Sequence, residues 1–122
     1  VQISKAMGAS QVIGVVHRET AMDYVAALGA DRVLHLADGW VERVHEYTNG
    51  QGVDIVVDPI GGRTFDDAIR ALAIDGKILV IGFAAGSVPT LSVNRLLLRN
   101  IGVLGVAWGE YLNKVPGSAV LF

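Results

Sequence analysis

Residues 53–82, VDIVVDPIGGRTFDDAIRALAIDGKILVIG, indicate the fold class of this chain most clearly. The stretch opens with a β-branched strand, Val53–Asp58, and closes with an apolar strand that runs from Lys77 to Gly82, after a turn at Asp75-Gly76. Between the strands lies an apolar stripe with the helical spacing i, i+3, i+4 and i+7, made by Phe65, Ala68, Ile69 and Leu72. A strand, a helix and a strand joined by short connections are typical of a parallel sheet.

The same alternation of short strands and helices extends to both sides of this stretch. Strands are also predicted over residues 11–16, 33–36 and 101–106, and helices over residues 21–28 and 91–99. Asp38 is predicted to cap a further helix that contains Trp40 and Tyr47. The pattern predicts one α/β domain over residues 1–122, with a doubly wound, Rossmann-like parallel sheet.

The composition excludes several classes of protein. Of the 122 residues, 52% are hydrophobic and only 18% charged, which favours a sheet that is covered on both faces. No apolar run approaches the ~18 residues that a membrane span needs. The net charge of −2, without a Lys/Arg cluster, argues against nucleic acid or an anionic membrane as a partner. The absence of cysteine excludes disulfides and thiolate metal sites in this chain, and together with the lack of a visible signal peptide it favours a cytoplasmic protein.

Candidate ligand-binding residues follow the predicted strands. In open α/β sheets, ligands bind beyond the carboxyl ends of the strands. Four such ends carry short polar or small-residue segments: HRE at 17–19, PIGG at 59–62, FAAG at 83–86 and AWG at 107–109. Small residues let the backbone approach a ligand closely, although each glycine could serve a turn alone. Three of the four segments, PIGG, FAAG and AWG, are rich in small residues. This coincidence at three strand ends predicts a binding cleft.

Long segments of the chain resemble a known family. They are GADRVLHLADGWVERVHEYTNGQGVDIVVDPIGG, TFDDAIRALAIDGKILVIGFAAG and NRLLLRNIGVLGVAWGEY. All three are similar to the nucleotide-binding domain of the medium-chain dehydrogenase/reductase superfamily, and most of all to its zinc-independent NADPH:quinone oxidoreductases. The resemblance covers nearly the whole chain, and the motifs VDPIGG, VIGFAAG and LLLRNIGVLGVAWG are the parts specific to that branch.

The resemblance also indicates what this chain lacks. Its opening, VQISKAMGA, is similar to the end of the helix that follows the glycine-rich phosphate loop in the family. We therefore expect a fragment without the first strand and without that G-x-G-x-x-G loop. The missing strand would leave a gap between the strands that begin at Gln11 and Val53, to be filled by a partner chain, a swapped strand or direct pairing. Such a fragment is expected to bind dinucleotide poorly and to be inactive.

The end of the strand over residues 11–16 predicts the cofactor. NAD-preferring domains place Asp or Glu at the end of their second strand to bind the ribose hydroxyls, and the resemblance puts Val16 at that position. Arg18 and His17 follow, and a guanidinium can hold a 2′-phosphate with two hydrogen bonds, so NADPH is favoured over NADH. The alternative is a solvated Arg18 neutralised by Glu19. Leu36 stands where some quinone reductases have a tyrosine that contacts the adenosine.

The resemblance implies further cofactor contacts and no catalytic residue. Pro59, Ile60 and Gly61 would lie along the adenosine, with Asp58 before them capping the next helix. The pyrophosphate and the nicotinamide ribose would meet the backbone amides of Gly82, Phe83 and Ala84. The nicotinamide would be bordered by Val106, Ala107 and Trp108. Phe83 and Trp108 could instead be packing residues, which is the more common role of large aromatic side chains. No catalytic side chain and no metal site are predicted, because the cofactor carries the hydride chemistry.

Two candidate functions, from different classes of protein, are compatible with these features. The first is the cofactor-binding part of an NADPH-dependent quinone or enone oxidoreductase. The second is a non-catalytic Rossmann-like domain kept for assembly. The edge strand from Ile101 to Val106 is apolar and has no charge to protect it. The resemblance implies pairing of this edge with a second copy, so a homodimer is expected; the alternative is burial of the strand under the neighbouring helix. An adenosylmethionine-dependent methyltransferase would need an acidic residue at Val16 and is disfavoured.

Overall fold

The computed structural model describes residues 1–37 and 39–118. The chain divides into two compact units: the first is Val1–Gly50, and the second begins at Gln51. The helix cap predicted for Asp38 lies outside the described residues. None of the helices in the described part is long and apolar enough to cross a membrane.

The first unit contains two parallel strands. Its elements in chain order are α1 (Gln2–Ala6), β1 (Ile13–Val16), a 3₁₀ turn (Glu19–Ala21), α2 (Met22–Ala27), β2 (Arg32–His35) and α3 (Trp40–Tyr47). In the register of β1 and β2, Val16 lies opposite His35. A Cβ at Gly14 would come within 2.5 Å of Val25 Cγ1, so glycine lets α2 pack closely on β1.

The second unit contains a three-stranded parallel sheet in the order β3-β4-β5. Its elements are β3 (Val53–Asp58), α4 (Thr64–Ala71), β4 (Leu72–Val80), α5 (Asn94–Arg99), β5 (Gly102–Gly105) and α6 (Trp108–Lys114). Helices separate consecutive parallel strands in both units. The predicted parallel α/β fold is confirmed. The three ways of filling the gap between β1 and β3 stay predictions.

Strand β4 begins earlier than the sequence predicts. Leu72 pairs with Val53, but the next regular pair joins Lys77 to Ile55, so the intervening residues bulge out of the ladder. Asp75 lies in this bulge with a positive φ of 65°, and its carboxylate accepts a hydrogen bond from the Asn100 side chain. The turn predicted at Asp75-Gly76 is therefore a bulge within one strand.

Each unit has its own buried residues. Those of the first unit lie on β2 and α3: Leu34, Trp40, Val41 and Val44. The buried apolar residues of the second unit lie on α4, on β4 and directly before β5: Phe65, Ala68, Ile69, Ala71, Leu72, Ile78 and Ile101. All four residues of the predicted apolar stripe are buried, but α4 ends at Ala71 and Leu72 is already the first residue of β4. Arg99 donates to the carbonyls of Ile69, Arg70 and Leu72, which satisfies the C-terminal end of α4.

Candidate functional site

The end of β1 presents an exposed arginine. Val16 ends the strand, and His17 and Arg18 follow it with exposed side chains. The Arg18 carbonyl accepts a 2.9 Å hydrogen bond from the Ala21 amide, which opens the 3₁₀ turn. The backbone on either side of this arginine is therefore held by regular structure.

The Arg18 guanidinium has no hydrogen bond or ion pair within residues 1–37 and 39–118. Glu19, which the sequence offered as a neutralising neighbour, forms no ion pair with it in the described structure. All five donors of the guanidinium are thus available to an anion, and its planar geometry suits phosphate.

His35 is a residue of this region that the sequence analysis missed. Its Nε2 lies 2.9 Å from the His17 carbonyl oxygen, and the Ala37 amide donates to its Nδ1 over 3.3 Å. An amide N–H can only donate, so Nδ1 is the acceptor and Nε2 carries the hydrogen that the His17 carbonyl accepts. The signal that could have found it is positional: Val16 and His35 are the last residues of two neighbouring parallel strands.

In the second unit, the loops that follow β3 and β4 are hydrogen-bonded to each other. Their residues, 59–62 and 82–87, are called the loop pair below. The Ala84 amide donates to the Pro59 carbonyl at 3.1 Å, and the Ala85 amide donates to the Ile60 carbonyl at 2.9 Å. A third bond of 3.2 Å joins the Gly62 amide to the Ser87 carbonyl. The predicted adenosine and pyrophosphate residues of this unit are thereby brought together.

Asp58 fixes the loop but does not cap the next helix. Its Oδ1 accepts the amides of Ile60 and Gly61 at 2.9 and 3.0 Å, whereas α4 begins beyond Arg63 without a side-chain cap. The predicted cap is wrong because the nearer loop amides take the carboxylate first. Asp58 is only 5% exposed, and its Oδ2 has no partner among the described residues.

Gly61 and Gly62 serve contact between the loops. Both have positive φ, 66° and 59°. A Cβ at Gly61 would lie 2.9 Å from Phe83 Cδ1, and one at Gly62 would lie 2.9 Å from the Ala85 Cβ. Glycine is required here because the second loop occupies the space, so close approach to a ligand is not needed to explain it. Phe83 packs against Gly61 and is still 44% exposed.

The backbone donors predicted for the cofactor are fewer than expected. The Ala84 amide is used within the loop pair, so it cannot also serve a bound phosphate. The amides of Gly82 and Phe83 donate no hydrogen bond within the described residues. Two of the three predicted donors thus remain at the carboxyl end of β4.

The residues predicted to border the nicotinamide line a shallow groove. The Val106 amide donates to the Val80 carbonyl at 2.9 Å and so prolongs the β4–β5 ladder, and the Ala107 carbonyl accepts from the Tyr111 amide as α6 begins. The groove has a volume of about 490 Å³, and its lining includes Val106, Ala107, Trp108, Tyr111 and Val115. Trp108 is 48% exposed, so it is a surface residue of this groove and does not pack in the core.

Sequence comparison identifies the family. The sequence model described as zinc-binding dehydrogenase matches residues 1–121. The chain belongs to this family. Members of the medium-chain dehydrogenase/reductase superfamily also match it in structure, which confirms the resemblance drawn from the motifs and the Rossmann-like fold class.

Several curated proteins are similar to this zinc-binding dehydrogenase family member. Quinone oxidoreductase-like protein 2 of Bos taurus is 33% identical over 91% of this chain and 36% of its own length. Prostaglandin reductase-3 of Mus musculus is 36% identical over 97% of this chain and 33% of its own. An NAD-dependent alcohol dehydrogenase of Sulfolobus acidocaldarius is 36% identical over 73% of this chain and 26% of its own. This chain spans about a third of the length of the first two relatives.

Solved structures agree with these matches. A probable oxidoreductase from Mycobacterium abscessus has a TM-score of 0.81 and 49% identity, over 99% of this chain and 34% of that one. A mycobacterial protein complexed with NADPH has a TM-score of 0.81 and 29% identity, over 90% of this chain and 35% of that one. The fold of this chain is therefore that of oxidoreductase domains.

The described residues do not fit a zinc site. They contain no cluster of three His, Asp or Glu side chains that could hold a metal ion, and the sequence has no cysteine. Structural and catalytic zinc sites take three or four such ligands. The family's zinc is thus not accounted for by this part of the protein.

Proposed function

We propose that this chain is the cofactor-binding part of an NADPH-dependent oxidoreductase that reduces a quinone or an enone. The family supports an oxidoreductase, and two relatives are named as a quinone oxidoreductase-like protein and a prostaglandin reductase. The observation that carries the choice of cofactor is the Arg18 guanidinium, exposed after β1 and without a partner in the described residues.

Arg18 is proposed to bind the 2′-phosphate. Val16 ends β1 and has no carboxylate. A carboxylate at this position would bind the ribose hydroxyls of NAD and repel a 2′-phosphate, so the feature that selects NAD is absent at Val16. Family membership does not choose the cofactor, since this chain is similar both to a protein complexed with NADPH and to an NAD-dependent enzyme. The charge that follows β1 supports NADPH.

The second unit is proposed to hold the rest of the cofactor. Pro59, Ile60 and Gly61 would lie along the adenosine, and the free amides of Gly82 and Phe83 would donate to the pyrophosphate or the nicotinamide ribose. The groove of Val106, Ala107 and Trp108 would receive the nicotinamide. These donors and the apolar groove support the proposal that residues 1–122 are a partial dinucleotide-binding domain.

The chemistry requires little of these side chains. Bound NADPH supplies the hydride, and the groove would offer an apolar surface to the nicotinamide ring. Substrate contacts are expected outside this chain, which spans about a third of its relatives. The chain alone is proposed to be inactive. The expected cytoplasmic location stays a prediction.

A homodimer through the β5 edge is part of the proposal. Within the described residues β5 pairs only with β4, and its side chains Val103 and Leu104 are 36% and 48% exposed. An unpaired apolar edge is a template for pairing with a second chain. The same observation favours the second candidate function, a non-catalytic assembly domain.

Leu104→Lys tests the dimer. A lysine in the edge should yield a monomer by light scattering, whereas Ile74→Lys, at a 72% exposed position of the β4 bulge, should leave the mass unchanged. A dimeric Leu104→Lys protein would reject this interface.

A calorimetric titration tests the function. The chain is titrated with 2′,5′-ADP and, separately, with 5′-AMP, which differ in the 2′-phosphate and need no pyrophosphate loop. A charged hydrogen bond contributes about 1.5–3 kcal/mol, so 2′,5′-ADP should bind roughly 10- to 150-fold more tightly. Equal affinities would reject NADPH preference. Binding of neither ligand would favour the assembly domain.

A further inference from the structure

We infer that His35 is a positioning residue for 2′-phosphate recognition, an inference that rests on the proposed role of Arg18. The imidazole bridges the backbone that follows the two strands of the first unit. Its Nε2 donates to the His17 carbonyl at 2.9 Å, and its Nδ1 accepts from the Ala37 amide at 3.3 Å. Arg18 is therefore the residue directly after a carbonyl that the imidazole holds.

The backbone around Arg18 is fixed at three consecutive carbonyls. The Val16 carbonyl accepts from the Leu36 amide and the Arg18 carbonyl from the Ala21 amide, each at 2.9 Å. Any non-proline residue at 36 or 21 would supply those amides. The middle carbonyl, that of His17, is held by a side chain instead, so its orientation depends on which residue stands at position 35.

This dependence gives His35 a specific effect on binding. Loss of the bond frees the peptide between His17 and Arg18, and the guanidinium then has to be ordered when the ligand binds. The cost falls on the 2′-phosphate contact, because that contact is the one Arg18 is proposed to make. A residue that only stabilised the fold would weaken all adenosine ligands alike.

The test compares ligand selectivity in two histidine variants. His35→Phe keeps a flat ring and removes the hydrogen bonds with the His17 carbonyl and the Ala37 amide. His45→Phe is the matched control, since the ring of His45 contacts a backbone carbonyl, that of Gly50, at 3.3 Å in a different turn. Both variants and the wild-type chain are titrated with 2′,5′-ADP and 5′-AMP, and their melting temperatures are recorded.

The expected result is a change in the ratio of the two affinities. A neutral hydrogen bond contributes about 0.5–1.5 kcal/mol, so His35→Phe should weaken 2′,5′-ADP binding roughly 2- to 12-fold and leave 5′-AMP nearly unchanged. His35→Gln, which keeps an N–H donor, should recover part of the loss. The control should keep the wild-type ratio. An unchanged ratio in His35→Phe, or equal weakening of both ligands, would overturn the inference.

The failure of this inference can be told apart from the failure of the proposed function. If the wild-type chain prefers 2′,5′-ADP and Arg18→Ala removes that preference, an unchanged ratio in His35→Phe rejects the role of His35 alone. If the wild-type chain shows no preference, both fail. Should His35→Phe not fold, nitrogen NMR of the wild-type chain decides: the inference requires the Nε2–H form of His35 and a larger change of its ring signals with 2′,5′-ADP than with 5′-AMP.

Discussion

The loop after β1 in the first unit and the loop pair in the second unit are held in different ways. The first carries a charged side chain on a short segment, and a histidine side chain holds one of its carbonyls. In the second unit three backbone hydrogen bonds join the loops, and Gly61 and Gly62 let them meet. The first region therefore depends on the identity of a few side chains, and the second on backbone conformation.

Because the two regions are held differently, substitutions in them are expected to have different effects. In the first unit a changed side chain is expected to alter what the loop binds, with a small effect on folding. In the second unit a changed residue is expected to alter stability first, because this unit contains the most deeply buried large apolar side chains of the described residues. Ile69, Leu72 and Ile78 are all less than 2% exposed there.

The largest effect is expected in the core beneath the loop pair. Ile78→Ala should lower the free energy of unfolding by about 2–5 kcal/mol, because it leaves a cavity at a fully buried position. Val57→Ala, at a 55% exposed position of β3, should change it by no more than about 0.5 kcal/mol. Urea denaturation measures both, and equal losses would contradict the burial of Ile78 in the core.

The next effect concerns the glycines of the loop pair. Gly61→Ala should cost about 1–3 kcal/mol for the left-handed backbone, with an added cost from the contact with Phe83. Gly117→Ala is the control, since Gly117 has a φ of 79° and open space where its Cβ would lie. Thermal unfolding should show the larger loss for Gly61→Ala. The reverse order would show that the contact between the loops is not tight.

The smallest effect concerns a charged contact in the first unit. Hydrogen bonds from the Val12 amide, at 2.6 Å, and from Lys5 lower the pKa of Asp31 below its usual 3.8. A carboxyl group with a lowered pKa stabilises the fold above the unfolded value, and this stabilisation is lost as the pH falls through the folded value.

Asp31→Asn should therefore destabilise the chain at pH 7 and make less difference near pH 3, as measured by urea denaturation at both pH values. Asp23→Asn, at an exposed position of α2, removes a carboxylate that has no hydrogen bond or ion pair within the described residues; as the control it should leave the free energy of unfolding at pH 7 nearly unchanged. If Asp31→Asn lowered the free energy of unfolding equally at both pH values, the charge of Asp31 would not be what stabilises the fold.

Much of the fold could be predicted from local pattern. β3 was predicted with its exact bounds, and the stripe of α4 was predicted because a helix period of 3.6 is legible without knowledge of any partner. The bulge in β4 could not be predicted, because it depends on how Val53 and Ile55 pair with a strand far along the chain.

The sequence could predict which residues form the candidate site, but not which hydrogen bonds they make. The residues of the loop pair stand at strand ends, which sequence reveals, but the use of the Ala84 amide by Pro59 depends on where two loops meet in space. The same holds for His35. Its sequence neighbours give no sign of the contact, which arises from the register that sets it beside Val16.

The most direct test of 2′-phosphate recognition at the end of β1 is the effect of Arg18→Ala on 2′,5′-ADP binding. Arg63→Ala, at an exposed arginine of the second unit, makes the same change of charge and is the control. Arg18→Ala should lose about 1.5–3 kcal/mol of binding free energy for 2′,5′-ADP and almost none for 5′-AMP, while Arg63→Ala should change neither. Equal losses for both ligands, or the same loss from Arg63→Ala, would contradict recognition of a 2′-phosphate at the end of β1.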